Sequence, residues 1–200
     1  RYSIPSFLMI TMVVVMCNID IVLVRHYCSP DQAGYYATAA ILGRIAFFLP
    51  SSLLLVLFPS VSKANASGDK DEHYFWVNLG LTTILAGSVF LILFFVGESI
   101  VQFIYGKEYY LATPILKIVT AAMGLLALSH VIFSYSLARS EFSFLWPLVG
   151  GTIIMISLVY FYHETAETIA WILLLSIGII FTGTVLNRVY IFFFKPITTS

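Results

Sequence analysis

Six stretches of this chain are nearly free of charge, and each is about as long as a bilayer is thick. They run Ile4–Val24, Gly34–Pro59, Tyr74–Ile104, Leu111–Leu137, Phe144–Tyr162 and Thr168–Phe194. A helix needs ~20 mostly apolar residues to cross ~30 Å of hydrocarbon. A transmembrane barrel would show alternating segments of ~10 residues, and none recurs. Lipid offers no partner to a bare backbone amide, so the spans must be helical. The expected fold class is all-α, a polytopic transmembrane bundle of six helices forming one unit over residues 1–200. Composition closes the other routes. Of 200 residues, 60% are hydrophobic and 10% charged, where a soluble domain carries ~25% charged residues. Ten Lys+Arg are balanced by ten Asp+Glu, which leaves no basic footprint for nucleic acid. Two cysteines make no disulfide scaffold, and at eleven residues apart on a helix they would stand ~16 Å from each other.

The punctuation between spans is short and polar. Ser29-Pro30-Asp31-Gln32-Ala33-Gly34 reads as turn chemistry, and Asn65 to Glu72 is the most polar run. Gly106-Lys107-Glu108, Arg139-Ser140-Glu141 and His163-Glu164-Thr165 mark the remaining turns. The first span is too long for the apolar core of a signal peptide, and no small-x-small site precedes Arg25. The chain opens on Arg1, almost directly in a span, so it reads as a piece of a longer protein. Lys and Arg at span ends set orientation. Arg1, Lys63, Lys70, Arg139, Arg188 and Lys195 fall on one side, Arg25 and Lys107 on the other. Both termini are therefore expected in the cytoplasm, in the cell inner (cytoplasmic) membrane.

Ionisable residues inside hydrocarbon are costly and mark cavities, partners or pathways. Asp20 lies four residues before Val24, ~6 Å inside the outer boundary. Arg44 lies ten residues after Gly34, ~15 Å deep and near the midplane. Lys117 lies ~9 Å inside the outer end of the fourth span. Asp20 and Lys117 are also within snorkelling reach of the interface, whereas Arg44 is not. Asn18 and His130 are further polar intrusions, and His130 reads first as a hydrogen-bonded packing residue. Asn18 and Asp20 are ~200° apart around one helix, so one is expected on a cavity and the other on a neighbouring helix. Asp20 is the better cavity candidate and could carry a coupling proton. No helical neighbour of Arg44 can neutralise it, so its counter-charge must come from another helix, from outside this chain or from a substrate. Pro50 should bend the second span, and Gly43 thins it beside Arg44, so both are hinge candidates.

No Ser-His-Asp spacing, metal cluster or phosphate loop is present, and an enzyme is not expected. No metal or organic cofactor is implied, and a proton or sodium coupling ion stays open. Tyr35, Tyr36, Tyr74, Trp76, Tyr109, Tyr110, Trp146, Tyr160 and Tyr162 read as interfacial anchors, with sugar stacking an open second role.

Several short motifs follow one another in a specific order. They are Asn18-Ile19-Asp20, Ala33-Gly34-Tyr35-Tyr36-Ala37-Thr38-Ala39, Leu42-Gly43-Arg44 and Leu57-Phe58-Pro59-Ser60-Val61-Ser62. Gly97-Glu98-Ser99-Ile100 follows, then Ile104 to Tyr109 and Ala112. Together they resemble the polysaccharide-unit (O-antigen type) flippases of the multidrug/oligosaccharidyl-lipid/polysaccharide exporter superfamily, clearly over about residues 10–140 and by hydropathy beyond. That resemblance implies two six-helix halves around a central cavity, with this chain similar to helices seven to twelve and the N-terminal half as its partner. It also implies a substrate, the undecaprenyl-diphosphate-linked oligosaccharide unit, flipped across the bilayer for cell-surface polysaccharide (lipopolysaccharide or exopolysaccharide) synthesis. Asp20, Arg44 and Lys117 would sum to a +1 cavity, the sign that suits a diphosphate. The alternatives are a cation-coupled multidrug exporter of the same superfamily and a membrane-embedded glycosyltransferase or polymerase. The latter would want larger external loops than these. A non-catalytic scaffold would leave Arg44 unexplained.

Overall fold

A computed structural model describes residues 3–52 and 71–194. Among these residues every regular element is helical: α1 (Ser3–Tyr27), α2 (Pro30–Gly43), α3 (Asp71–Tyr105), α4 (Ala112–Ala138), α5 (Leu145–Phe161) and α6 (Ala166–Phe194). Four segments are long and apolar enough to cross a membrane: Ser3–Tyr27, His73–Tyr105, Lys107–Ala138 and Ala166–Val189. α5 is a shorter apolar helix. α2 continues over residues 45–52 after a one-residue interruption at Arg44. The motif Leu57 to Ser62, the polar run Asn65 to Lys70, and Arg1 and Lys195 lie outside the described residues.

Local chemistry explains the boundaries. The expected turn from Ser29 to Gly34 is already helix. Ser29 caps it, its hydroxyl accepting from the Gln32 amide at 3.4 Å, with Pro30 at the first helical position and Asp31 in the first turn. Only Cys28 and Ser29 link α1 to α2. Between α3 and α4, Gly106 has φ 98° and ψ 164°, a conformation essentially restricted to glycine. It turns the chain into a 3-10 segment, Lys107–Leu111. α4 closes with Ser140 left-handed, φ 60°. The Glu141 amide bonds to the Ser136 carbonyl and the Ser140 amide to that of Leu137, a Schellman closure.

α4 is the hub. It packs on α2, α3 and α6, while α5 packs on α6 and α1 lies against α2 and α5. Two thirds of the α4 span is buried, against 22% of the α3 span. Small residues set the closest approaches. A Cβ on Gly43 would stand 3.0 Å from Val119 Cγ1 and 3.2 Å from the Thr120 backbone nitrogen, so Gly43 is where α2 meets α4. A Cβ on Gly151 would collide with Ile180 Cγ1, so Gly151 is where α5 meets α6.

At the Arg139 end of the bundle a polar knot ties three elements. Glu141 accepts a hydrogen bond from Arg188 Nη1 and lies 3.6 Å from Arg139 Nε. Arg188 also stands over the Tyr135 ring, and Asn187 donates to the Ser143 hydroxyl at 2.8 Å. At the opposite end Gln32 Oε1 accepts from the Ala166 amide at 3.2 Å, and Tyr27 stacks on His163.

Candidate functional site

Tyr36, Ala40 and Arg44 fall four residues apart, on one face of α2. That face looks at Asp20 on α1. Ala39 and Ala40 are both 0% exposed, and their small side chains leave room for a carboxylate. Asp20 is itself 0% exposed. The Tyr36 hydroxyl donates to Asp20 Oδ2 at 2.9 Å, and Arg44 Nη2 donates to Oδ1 at 2.8 Å. Both carboxylate oxygens are thus satisfied, one from each side along α2. Cys17, one turn before Asp20, is buried beside the pair.

Arg44 faces two ways. Its side chain is 12% exposed. Its Nε is buried without a hydrogen-bond partner among the described residues. It also lines a surface hollow of about 530 Å³ with Ile41, Ile45, Phe48, Leu49 and Ser52. The backbone is irregular at the same residue. The Arg44 carbonyl accepts from both the Phe47 and the Phe48 amides, each at 3.0 Å. The interruption therefore sits at Arg44, six residues before Pro50, which is buried within the helical residues 45–52.

The remaining residues singled out in the sequence lie elsewhere. Asn18 is on the exposed face of α1 and donates to the Val14 carbonyl at 2.8 Å. Asp20, favoured for the cavity over Asn18, is instead the one turned to a neighbouring helix, and it is fully buried rather than snorkelling. Lys117 is not part of the cluster, and its ammonium lies 4.6 Å from the centre of the Phe94 ring, toward α3. The +1 sum of the three charges therefore does not describe one site: Asp20 and Arg44 cancel, and Lys117 stands apart. His130 packs against Phe47, ring centres 5.7 Å apart, and its Nδ1 is buried without a hydrogen-bond partner among the described residues. Tyr36, grouped with the interfacial anchors, is wholly buried.

The sequence did hold a signal for the pair. A long side chain on a helix runs back toward the N-terminus, so the Arg44 guanidinium lies about a turn nearer the α1–α2 link than its own Cα does. Depths counted along the backbone put Asp20 ~6 Å and Arg44 ~15 Å from the outer boundary, and did not single out Asp20 as the partner. Among the described residues, no group of three or more His, Cys, Asp or Glu could hold a metal ion.

The sequence model of a family described as "Polysaccharide biosynthesis protein" matches residues 1–114. Nothing among curated proteins matches the chain. Nothing among solved structures does either. The matched stretch holds α1, α2 and α3, and with them Asp20, Tyr36 and Arg44. With more than half of its 200 residues inside that match and its apolar helices arranged as a bundle, this chain is a multi-pass membrane protein that belongs to the polysaccharide biosynthesis protein family.

Proposed function

We propose that this chain forms part of a flippase for lipid-linked oligosaccharide units, and that Arg44 meets the diphosphate of the lipid carrier. The family match supports the pathway. The observation that carries the mechanism is Arg44 itself, held by Asp20 on one side and lining an outward hollow on the other. A guanidinium has five N–H donors, and Asp20 takes one. Nε is buried, and the remaining Nη N–H groups can grip a phosphate through parallel hydrogen bonds, a geometry an ammonium does not reproduce. On this reading the protein carries out no covalent chemistry. It sits in the cytoplasmic membrane with both termini inside, and a second six-helix half completes the cavity.

The test uses the full-length protein in proteoliposomes with a fluorescent lipid-linked oligosaccharide. Arg44→Lys should insert normally and flip poorly. Full flipping by Arg44→Lys would remove the phosphate role and leave the arginine as a structural partner of Asp20. Flipping of a cationic drug in place of the glycolipid would favour the exporter reading.

A further inference from the structure

Around Asp20 there are more donors than its carboxylate engages. Arg44 Nη2 donates to Oδ1 at 2.8 Å and the Tyr36 hydroxyl to Oδ2 at 2.9 Å. Arg44 Nε is buried and has no hydrogen-bond partner among the described residues. In any guanidinium Nε and Nη2 share one edge, and their N–H groups there point the same way. That edge is a fork with which arginine takes both oxygens of a carboxylate at once. Here only half of the fork is used. The second oxygen carries the Tyr36 hydroxyl instead.

A buried donor without a partner is destabilising, and one hydroxyl group maintains this one. Tyr36 and Asp20 are both 0% exposed, so neither can turn to solvent. A phenylalanine at position 36 would keep the ring and leave Oδ2 open to Nε. The tyrosine thus prevents a pairing that the guanidinium is otherwise built to make.

The consequence falls on the opposite edge of Arg44. Asp20 holds the guanidinium by one hydrogen bond, and the same side chain lines the hollow with Ile41, Ile45, Phe48, Leu49 and Ser52. A guanidinium held at one point can turn about that bond, whereas two parallel bonds fix its plane.

We propose that Tyr36 is a positioning residue for Arg44: by occupying Oδ2 it keeps Asp20 from taking both N–H groups and leaves the guanidinium able to swing to an anionic group in the hollow. This rests on the reading that Arg44 meets a phosphate. It reverses the usual expectation for a buried tyrosine, since loss of the hydroxyl tightens the ion pair.

Full-length protein carrying Tyr36→Phe gives two independent readouts. In detergent, with 15N-labelled arginine, the Arg44 Nε–H signal is assigned by its absence from Arg44→Lys. It should move downfield as Nε gains a carboxylate acceptor, and thermal unfolding should come no earlier than in the wild type. In proteoliposomes with the fluorescent lipid-linked oligosaccharide, half-saturation should need about tenfold more substrate, the equivalent of one charge-assisted hydrogen bond, with the maximal rate kept. In an Asp20→Asn background, Tyr36→Phe should add no further shift, because an amide has one acceptor oxygen only. An unmoved Nε signal would overturn the proposal, and so would earlier unfolding, which would leave Tyr36 as a structural hydrogen bond. A moved signal with unchanged half-saturation would uphold the effect of Tyr36 on the pair and overturn the meeting of Arg44 with substrate, so the two failures are distinct.

Discussion

Removing either end of the Asp20–Arg44 pair strands the other in a different environment. Without Arg44, Asp20 keeps the Tyr36 hydroxyl but loses its ion-pair partner, and it has no exposure. Without Asp20, the guanidinium can still turn to the hollow it lines. Breaking a buried pair costs about 3–5 kcal/mol, and Arg44→Gln should sit at the upper end while Asp20→Asn costs less. Both should lower the amount of protein in the membrane. The double variant should restore most of it, because neutral groups of similar shape satisfy one another. Quantitative immunoblots of membranes measure this, and a double variant as scarce as Arg44→Gln would show that the pair is not what holds α1 to α2. The sequence exposed Arg44 as a cation too deep to snorkel and raised a partner helix as one source of its counter-charge. It did not reveal Asp20 as that partner or Tyr36 as the second donor. Backbone depth misjudges where a long side chain ends, and a tyrosine near a span end looks the same whether it faces headgroups or a carboxylate.

Hydropathy finds helices but not their neighbours. α3 and α4 are both strongly apolar, yet one is largely outward and the other central. The difference lies in side-chain size and hydroxyls. Thr113, Thr120, Ser129 and Ser136 are buried on α4 alongside Ala112, Ala122 and Ala127, a composition suited to close helix contact rather than to lipid. The helix of the second span starts at Pro30, in the stretch read as a turn, because Ser29-Pro30-Asp31 serves equally as turn and as helix cap. Adjacent glycines on α5 give a clean contrast. Gly151→Ala must displace Ile180, which is buried at 0% exposure, and overpacking of this kind costs about 1–3 kcal/mol. Gly150→Ala meets open space and should be neutral or slightly stabilising. Thermal unfolding in one detergent should separate the two, and equal midpoints would mean that the α5–α6 crossing can relax freely.

For the molecule as a whole, the alternation of its ends is open to direct labelling. In a Cys28→Ser background, Glu164→Cys should react with a membrane-impermeant thiol reagent in intact cells, and Ser140→Cys only after lysis. The reverse pattern would invert the orientation drawn from Lys and Arg placement. The half-transporter reading came from resemblance and not from any contact within this bundle, since a single chain's hydropathy says nothing of what stands opposite it. The hub position of α4 also carries a consequence for synthesis. Its hydroxyl-rich flanks enter the bilayer before α6, the helix that covers one of them, has been made. Until then the nascent protein presents to lipid, or to membrane chaperones, a surface that only a later helix can shield. Chains halted after α5 should therefore be cleared by membrane proteases much faster than the whole chain in a pulse-chase experiment. Equal lifetimes would show that α2 and α3 alone are enough to shelter α4 during biogenesis.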